Sequence, residues 1–179
     1  MKEDVDMEQT HDVHHGAGLS NECDVDMSGM RSFDSIVGDS AEDTALLRGM
    51  ATEAKEFLSR NDWCKSIEQL HFAYGIGGVI GVFLFKIVPN SPDVDKCLWV
   101  IVGDLPPAYI VTEDNPRAAD AIEAYCSEME AWVEAVEMGE SVEELIPVNV
   151  PATADFANQL KGRIEFLRDE VVPLSQKHS

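Results

Sequence analysis

CLWVIVGDLPPAYIVT, residues 97–112, decides how this chain folds. Cys97 to Val102 is an unbroken apolar run, which reads as a strand that is apolar on both faces and therefore central in a sheet. Gly103, Asp104, Leu105, Pro106 and Pro107 make a tight connection, in which proline fixes φ and aspartate accepts backbone hydrogen bonds. Ala108 to Thr112 is the next strand. A connection this short joins antiparallel neighbours, because parallel strands need a crossover of roughly a dozen residues or more.

Two more strands precede this pair. Ile67 to Tyr74 alternates weakly, with Leu70, Phe72 and Tyr74 on one face, and Val79 to Val88 is rich in Val, Ile and Phe. Gly75, Gly77 and Gly78 between them signal a hairpin turn. They are not a phosphate loop: no Gly-Lys-Ser/Thr stands after them, and they lead into a strand rather than a helix. Pro89 to Pro92 is a loop. From about Ala41 to Trp63, Leu46, Leu47, Met50, Ala54, Phe57 and Leu58 recur at helical spacing, with Asn61 and Asp62 ending the helix.

Beyond the strands, Asn115 suits an N-cap and Pro116 a first helical residue. Ile122, Tyr125, Met129, Trp132, Val133 and Val136 then form an apolar stripe, closed by Gly139. The linker IPVNVP, 146–151, is extended. Thr153 caps a last helix with Phe156, Leu160, Ile164, Leu167 and Val171 on one face, and Pro173 stops it. The expected fold is α+β: a four-stranded antiparallel sheet with three helices packed largely on one face. It occupies residues 42–179 as a single domain.

Residues 1–41 are expected to be a disordered acidic tail. They hold ten acids against two bases and one aromatic residue, Phe33, too little apolar area to offset the entropy of ordering. DVDM occurs there twice, at 4–7 and 24–27, which is too few copies for a repeat architecture. His11, His14 and His15 include a pair four apart, but no second ligand pair stands at zinc-like spacing, so no metal site is expected. Cys23, Cys64, Cys97 and Cys126 form no CxxC pair, and a chain of 179 residues that is 45% apolar needs no disulfide framework. They are read as reduced thiols of a cytoplasmic protein. The N-terminus lacks the apolar segment of a secretory signal. The longest apolar run, roughly 74–88, is broken by four glycines and Lys86, too interrupted for a membrane span.

Charge is the unusual property. With 34 acids, 13 bases and a formal charge of -21, the chain is a poor match for nucleic acid or an anionic membrane, and a good one for a basic protein partner. Residues 113–144 hold eleven acids and one base, Arg117, whereas 145–179 are balanced. Glu123, Glu130, Glu134 and Glu137 lie largely opposite the apolar stripe of their helix, and carry no Lys at the i,i+4 spacing that would stabilise it. They are the expected partner-binding residues.

Chemistry is harder to find. Asp104, with Tyr109 nearby, stands on a rigid strand-end loop where a ligand could be held, although turn chemistry alone accounts for it. His71 with Cys64 or Cys126 would make a nucleophilic dyad only if the fold brought them together. No cofactor motif and no catalytic residue can be assigned, so the protein is not expected to be an enzyme.

LWVIVGDLPPAYIVTED (98–114), AYCSEMEAWVEAV (124–136) and PVNVPATADFANQL (147–160) resemble an uncharacterised bacterial domain-of-unknown-function family, over about residues 63–173. The resemblance implies a soluble bacterial protein and no particular activity. Composition adds an analogy: small acidic proteins without chemistry of their own include inhibitors and immunity proteins that neutralise a basic enzyme. The expected function is therefore an acidic domain that docks on a basic partner. The alternative is a small-ligand-binding or enzymatic module with its pocket near Asp104 and Tyr109. No oligomeric state follows from the sequence.

Overall fold

Ser40 starts the first long helix: its Oγ accepts the backbone N–H of Asp43 at 3.0 Å, filling one of the donors a helix N-terminus leaves open. The computed structural model of the protein describes residues 23–177. In it, helix α1 (Ala41–Ser59) buries Leu47, Met50, Ala51, Ala54 and Leu58, and Leu46 stays exposed. Strands β2 (Cys64–Ile76), β3 (Ile80–Pro89), β4 (Cys97–Gly103) and β5 (Ala108–Val111) follow, each antiparallel to the one before. Gly78, at φ 74°, lets the β2–β3 hairpin turn. The Asp43 carboxylate accepts from Gly77 N at 2.9 Å and ties that turn to α1.

Helix α2 (Ala118–Met138) begins two residues later than its sequence suggests. Arg117 is the N-cap, because Asn115 is engaged elsewhere: its Nδ2 donates to Val111 O at 3.0 Å and its carbonyl accepts Trp99 Nε1 at 2.7 Å. Gly139, at φ 71°, closes α2 as expected. Helix α3 (Ala154–Phe166) is capped by Thr153. Pro173 does not stop it. The chain widens into a π turn over Leu167–Val171 and continues as α4 (Val172–Gln176). A proline lacks the N–H for the i−4 carbonyl and its ring crowds that carbonyl, and a widened turn relieves both.

Two expectations are corrected. The sheet has five strands, in the order β1-β2-β3-β4-β5, the fifth being the short β1 (Arg31–Ser32), which pairs with Phe72 and His71. The helices lie on both faces, not largely on one. α1 packs on Phe83, Phe85, Ile87, Leu98, Val100 and Val102, whereas α2, α3 and α4 cover Val82, Leu84, Trp99, Ile101 and Ile110. Every residue of β4 from Cys97 to Val102 is buried, which only a helix layer on each side can achieve.

The expected tail boundary at residue 41 also moves. Cys23 is disulfide-bonded to Cys97 at the start of β4. From there the chain carries Val25, Met27 and Met30 across the α2-side core, pairs with β2 as β1, and seats Ile36 at 0% exposure in the α1-side core. Arg48 of α1 donates to the carbonyls of Ile36 and Asp34, each at 3.2 Å. Residues 23–40 are thus a strap around the β2 edge that joins the two cores. Cys23 and Cys97 are not the reduced thiols expected; Cys64 and Cys126 are free.

Candidate functional site

Gly103 sits at φ 145°, and a Cβ there would lie 2.2 Å from Val79 O, so only glycine lets β4 leave the sheet so close to β3. That exit places Asp104, whose amide donates to Val79 O at 3.1 Å. The Asp104 carboxylate is not waiting for a substrate. Arg163 of α3 holds it, donating from Nη2 to both carboxylate oxygens at 3.1 Å and from Nε to the Asp104 carbonyl. Beside this ion pair is a cavity of about 360 Å³, walled by the 103–107 loop, Val148–Val150 and Phe156, Gln159 and Leu160 of α3.

Tyr109 lies in a different, adjoining cleft. Its ring, 39% exposed, meets Trp63 edge-on at 5.1 Å between centroids. The cleft, about 610 Å³, runs along β5. Phe57, Arg60 and Asn61 at the end of α1 form one wall, and Ala124 and Glu128 of α2 with residues 144–147 form the other. Pro107 and Asn149 line both hollows. The expected ligand loop is therefore split: Asp104 faces one cavity and Tyr109 the other.

The expected acidic docking face is largely engaged within the fold. Arg168, in the π turn, pairs with Glu130 at 2.8 Å and Glu123 at 3.5 Å, and Lys161 pairs with Glu137 at 3.4 Å. Only Glu134 of the four has no basic partner among the described residues. The missing i,i+4 bases of α2 are supplied from α3 and the π turn, a pairing that spacing along one helix cannot reveal. At the β5 cleft the situation is reversed. Glu128 and Glu144 are exposed without a basic partner among the described residues, and the cleft's one base, Arg60, already faces Glu56 at 3.8 Å.

His71 forms no nucleophilic dyad with Cys64 or Cys126. Cys64 and His71 stand seven residues apart on β2, about 23 Å along a strand. Cys126 is fully buried on the core side of α2, whereas the His71 ring reaches Gln69 Oε1 at 3.4 Å. Burial pushes the Cys126 thiol up to about 12. Burial also raises the phenol of Tyr125, whose hydroxyl donates to Pro106 O at 2.8 Å. The folded chain thus keeps the Cys126 proton through a range in which the unfolded chain loses it. Stability from this group is whole below about pH 9 and falls as pH rises toward about 12, by about 1 kcal/mol at pH 10. Urea midpoints at pH 7.5 and pH 10 test this. The wild type should lose more than Cys126→Ala between the two, and equal losses would refute the assignment.

Among the described residues, no group of three or more His, Cys, Asp or Glu is placed to hold a metal ion, and no helix is long and apolar enough to cross a membrane. His11, His14, His15 and the first DVDM copy lie outside the described residues. Of the residues that matter here, sequence reading misses Trp63, Arg163 and the cleft acids. Glu128 and Glu144 are visible in it only as two of eleven acids.

No curated protein and no solved structure matches the chain. Residues 77–171 match a family described as Domain of unknown function (DUF4826), a span from the β2–β3 turn to the end of the π turn. That is more than half of the 179 residues, and the protein belongs to this family.

Proposed function

We propose that the protein is an acidic binding domain, without chemistry of its own, that docks on a basic protein partner in the manner of an inhibitor or immunity protein. The observation that carries this is the division of its acids. Glu123, Glu130 and Glu137 of α2 are neutralised inside the fold, whereas Glu128 and Glu144 stand without a basic partner among the described residues beside a largely apolar cleft. The docking surface is accordingly moved from Glu123, Glu130, Glu134 and Glu137 to that cleft. Reversing Glu130 or Glu137 would be a poor test, because a lysine there meets Arg168 or Lys161 and strains the α2–α3 contact. Reversing the cleft acids disturbs no ion pair. A basic protein captured from source lysate at low salt should be shed at high salt, and Glu128→Lys/Glu144→Lys should slow its association about tenfold. An unchanged association rate would remove the cleft from the reading.

A second reading rests on the cavity beside Asp104. Its 360 Å³, with Gln159, Asn149 and Phe156 on its wall, is within the range of small-molecule pockets. It favours binding over turnover, since its charged pair, Asp104 and Arg163, is engaged with itself.

A further inference from the structure

The two edges of the sheet are finished differently. At one edge β2 carries three register irregularities, is capped in part by β1, and is wrapped by the strap of residues 23–40. Bulges and covers of this kind keep an edge strand from pairing with another chain. At the other edge β5 carries no bulge, although Asn115 Nδ2 already occupies the Val111 carbonyl at 3.0 Å. Its register with β4 runs without a shift from Ala108 to Val111. Its sequence, AYIV, holds no charge and no proline. No further strand pairs with it among the described residues.

This open edge is the floor of the 610 Å³ cleft, and Tyr109 and Val111, at 39% and 41% exposure, project from it. Resting on the reading of a basic partner, we propose that β5 is a strand-addition site, which takes an extended basic segment of that partner as a sixth strand. An added strand would lie about 4.8 Å from β5 and span the roughly 13 Å of its four residues. Main-chain hydrogen bonds to β5, short of the Val111 carbonyl that Asn115 already holds, would supply the pairing, apolar side chains would meet Tyr109 and Val111, and Lys or Arg would meet Glu128 and Glu144. Charge selects this occupant over a second copy: two chains of -21 repel, whereas a basic segment is attracted.

The test uses the full chain and three peptide probes: an alternating Lys–Val heptapeptide, the same peptide N-methylated at alternate amides, and heptalysine. The alternating peptide should bind saturably, protect the amides of residues 108–111 from hydrogen exchange and perturb Trp63 fluorescence. N-methylation and Tyr109→Lys/Val111→Lys, at two exposed positions, should each weaken it at least tenfold. Equal binding of all three peptides would overturn strand addition and leave the basic-partner reading standing. Absence of saturable binding by any of them would overturn both at this cleft. A concentration-dependent dimer that Tyr109→Lys/Val111→Lys abolishes would overturn the proposal in favour of self-pairing.

Discussion

Replacing Trp99 by alanine should lower the stability of the protein by about 4 kcal/mol, within the range of about 3–5 found for deleting a large buried aromatic. Trp99 is fully buried on the α2 side of β4, opposite Leu84 on β3 and Ile110 on β5. Its ring belongs to the same core as Ile122, Tyr125, Met129 and Trp132 of α2. The deletion removes transferred apolar surface and leaves a cavity that two helices and a sheet cannot close. It also deprives the Asn115 carbonyl of the Nε1 donor at 2.7 Å, which fixes the turn between β5 and α2. A domain whose whole stability is of order 5–15 kcal/mol loses a large fraction at one stroke. The melting temperature should fall by about 10 °C or more. Trp99→Phe separates the two contributions: it keeps much of the ring volume and loses the hydrogen bond, and should cost about half as much. Urea unfolding of both variants measures this. A loss below about 2 kcal/mol for Trp99→Ala would show that the α2-side core does not depend on this ring.

Trp99 also shows what is legible in the sequence. The run from Cys97 to Val102 reads as apolar on both faces, and that reading already implies a helix layer on each side. Expecting the helices largely on one face neglects that implication. α1 and α2 have similar stripes, and nothing in a stripe says which face of a sheet it covers. β2 to β5, α1, α2 and α3 are legible because their apolar periods, caps and turns are local properties. β1 and the strap are not. Val25, between two aspartates, and Ile36, with Val37 as its one apolar neighbour, lie in an acidic stretch, and they are buried only because distant segments supply the surfaces that cover them.

The candidate site divides in the same way. Gly103, Pro106 and Pro107 announce a rigid loop at Asp104, and the loop is there. Arg163, which occupies the Asp104 carboxylate, lies 59 residues away and has no spacing signal. The acids of α2 are conspicuous as a charge run, but what separates a docking acid from a paired one is the position of Arg168 and Lys161 in three dimensions. The openness of β5 belongs to the same class, since an edge is defined by the strand that is not beside it.

The disulfide carries the second large effect. Cys23→Ala should lower stability under non-reducing conditions by about 2–4 kcal/mol. Cys23 and Cys97 are 74 residues apart in sequence, and cross-linking them removes from the unfolded chain the freedom of a long loop, about 4 kcal/mol in the chain-entropy treatment. Alanine is the right replacement because position 23 is only 7% exposed, and a serine hydroxyl there would have to be buried. The loss should not be total. Without the cross-link the strap still has the β1 pairing, buried Ile36 and the two hydrogen bonds from Arg48. Hydrogen exchange should therefore rise first in residues 23–30 and only later in α1. A reductant distinguishes this mechanism from loss of packing at one side chain: dithiothreitol should lower the wild-type urea midpoint to near that of Cys23→Ala and leave the variant unmoved. Thiol counting on the unfolded wild type should give two free groups, Cys64 and Cys126, before reduction and four after. A wild-type midpoint indifferent to reductant, with two thiols counted beforehand, would mean that the strap is held by its packing and that the cross-link adds nothing to it.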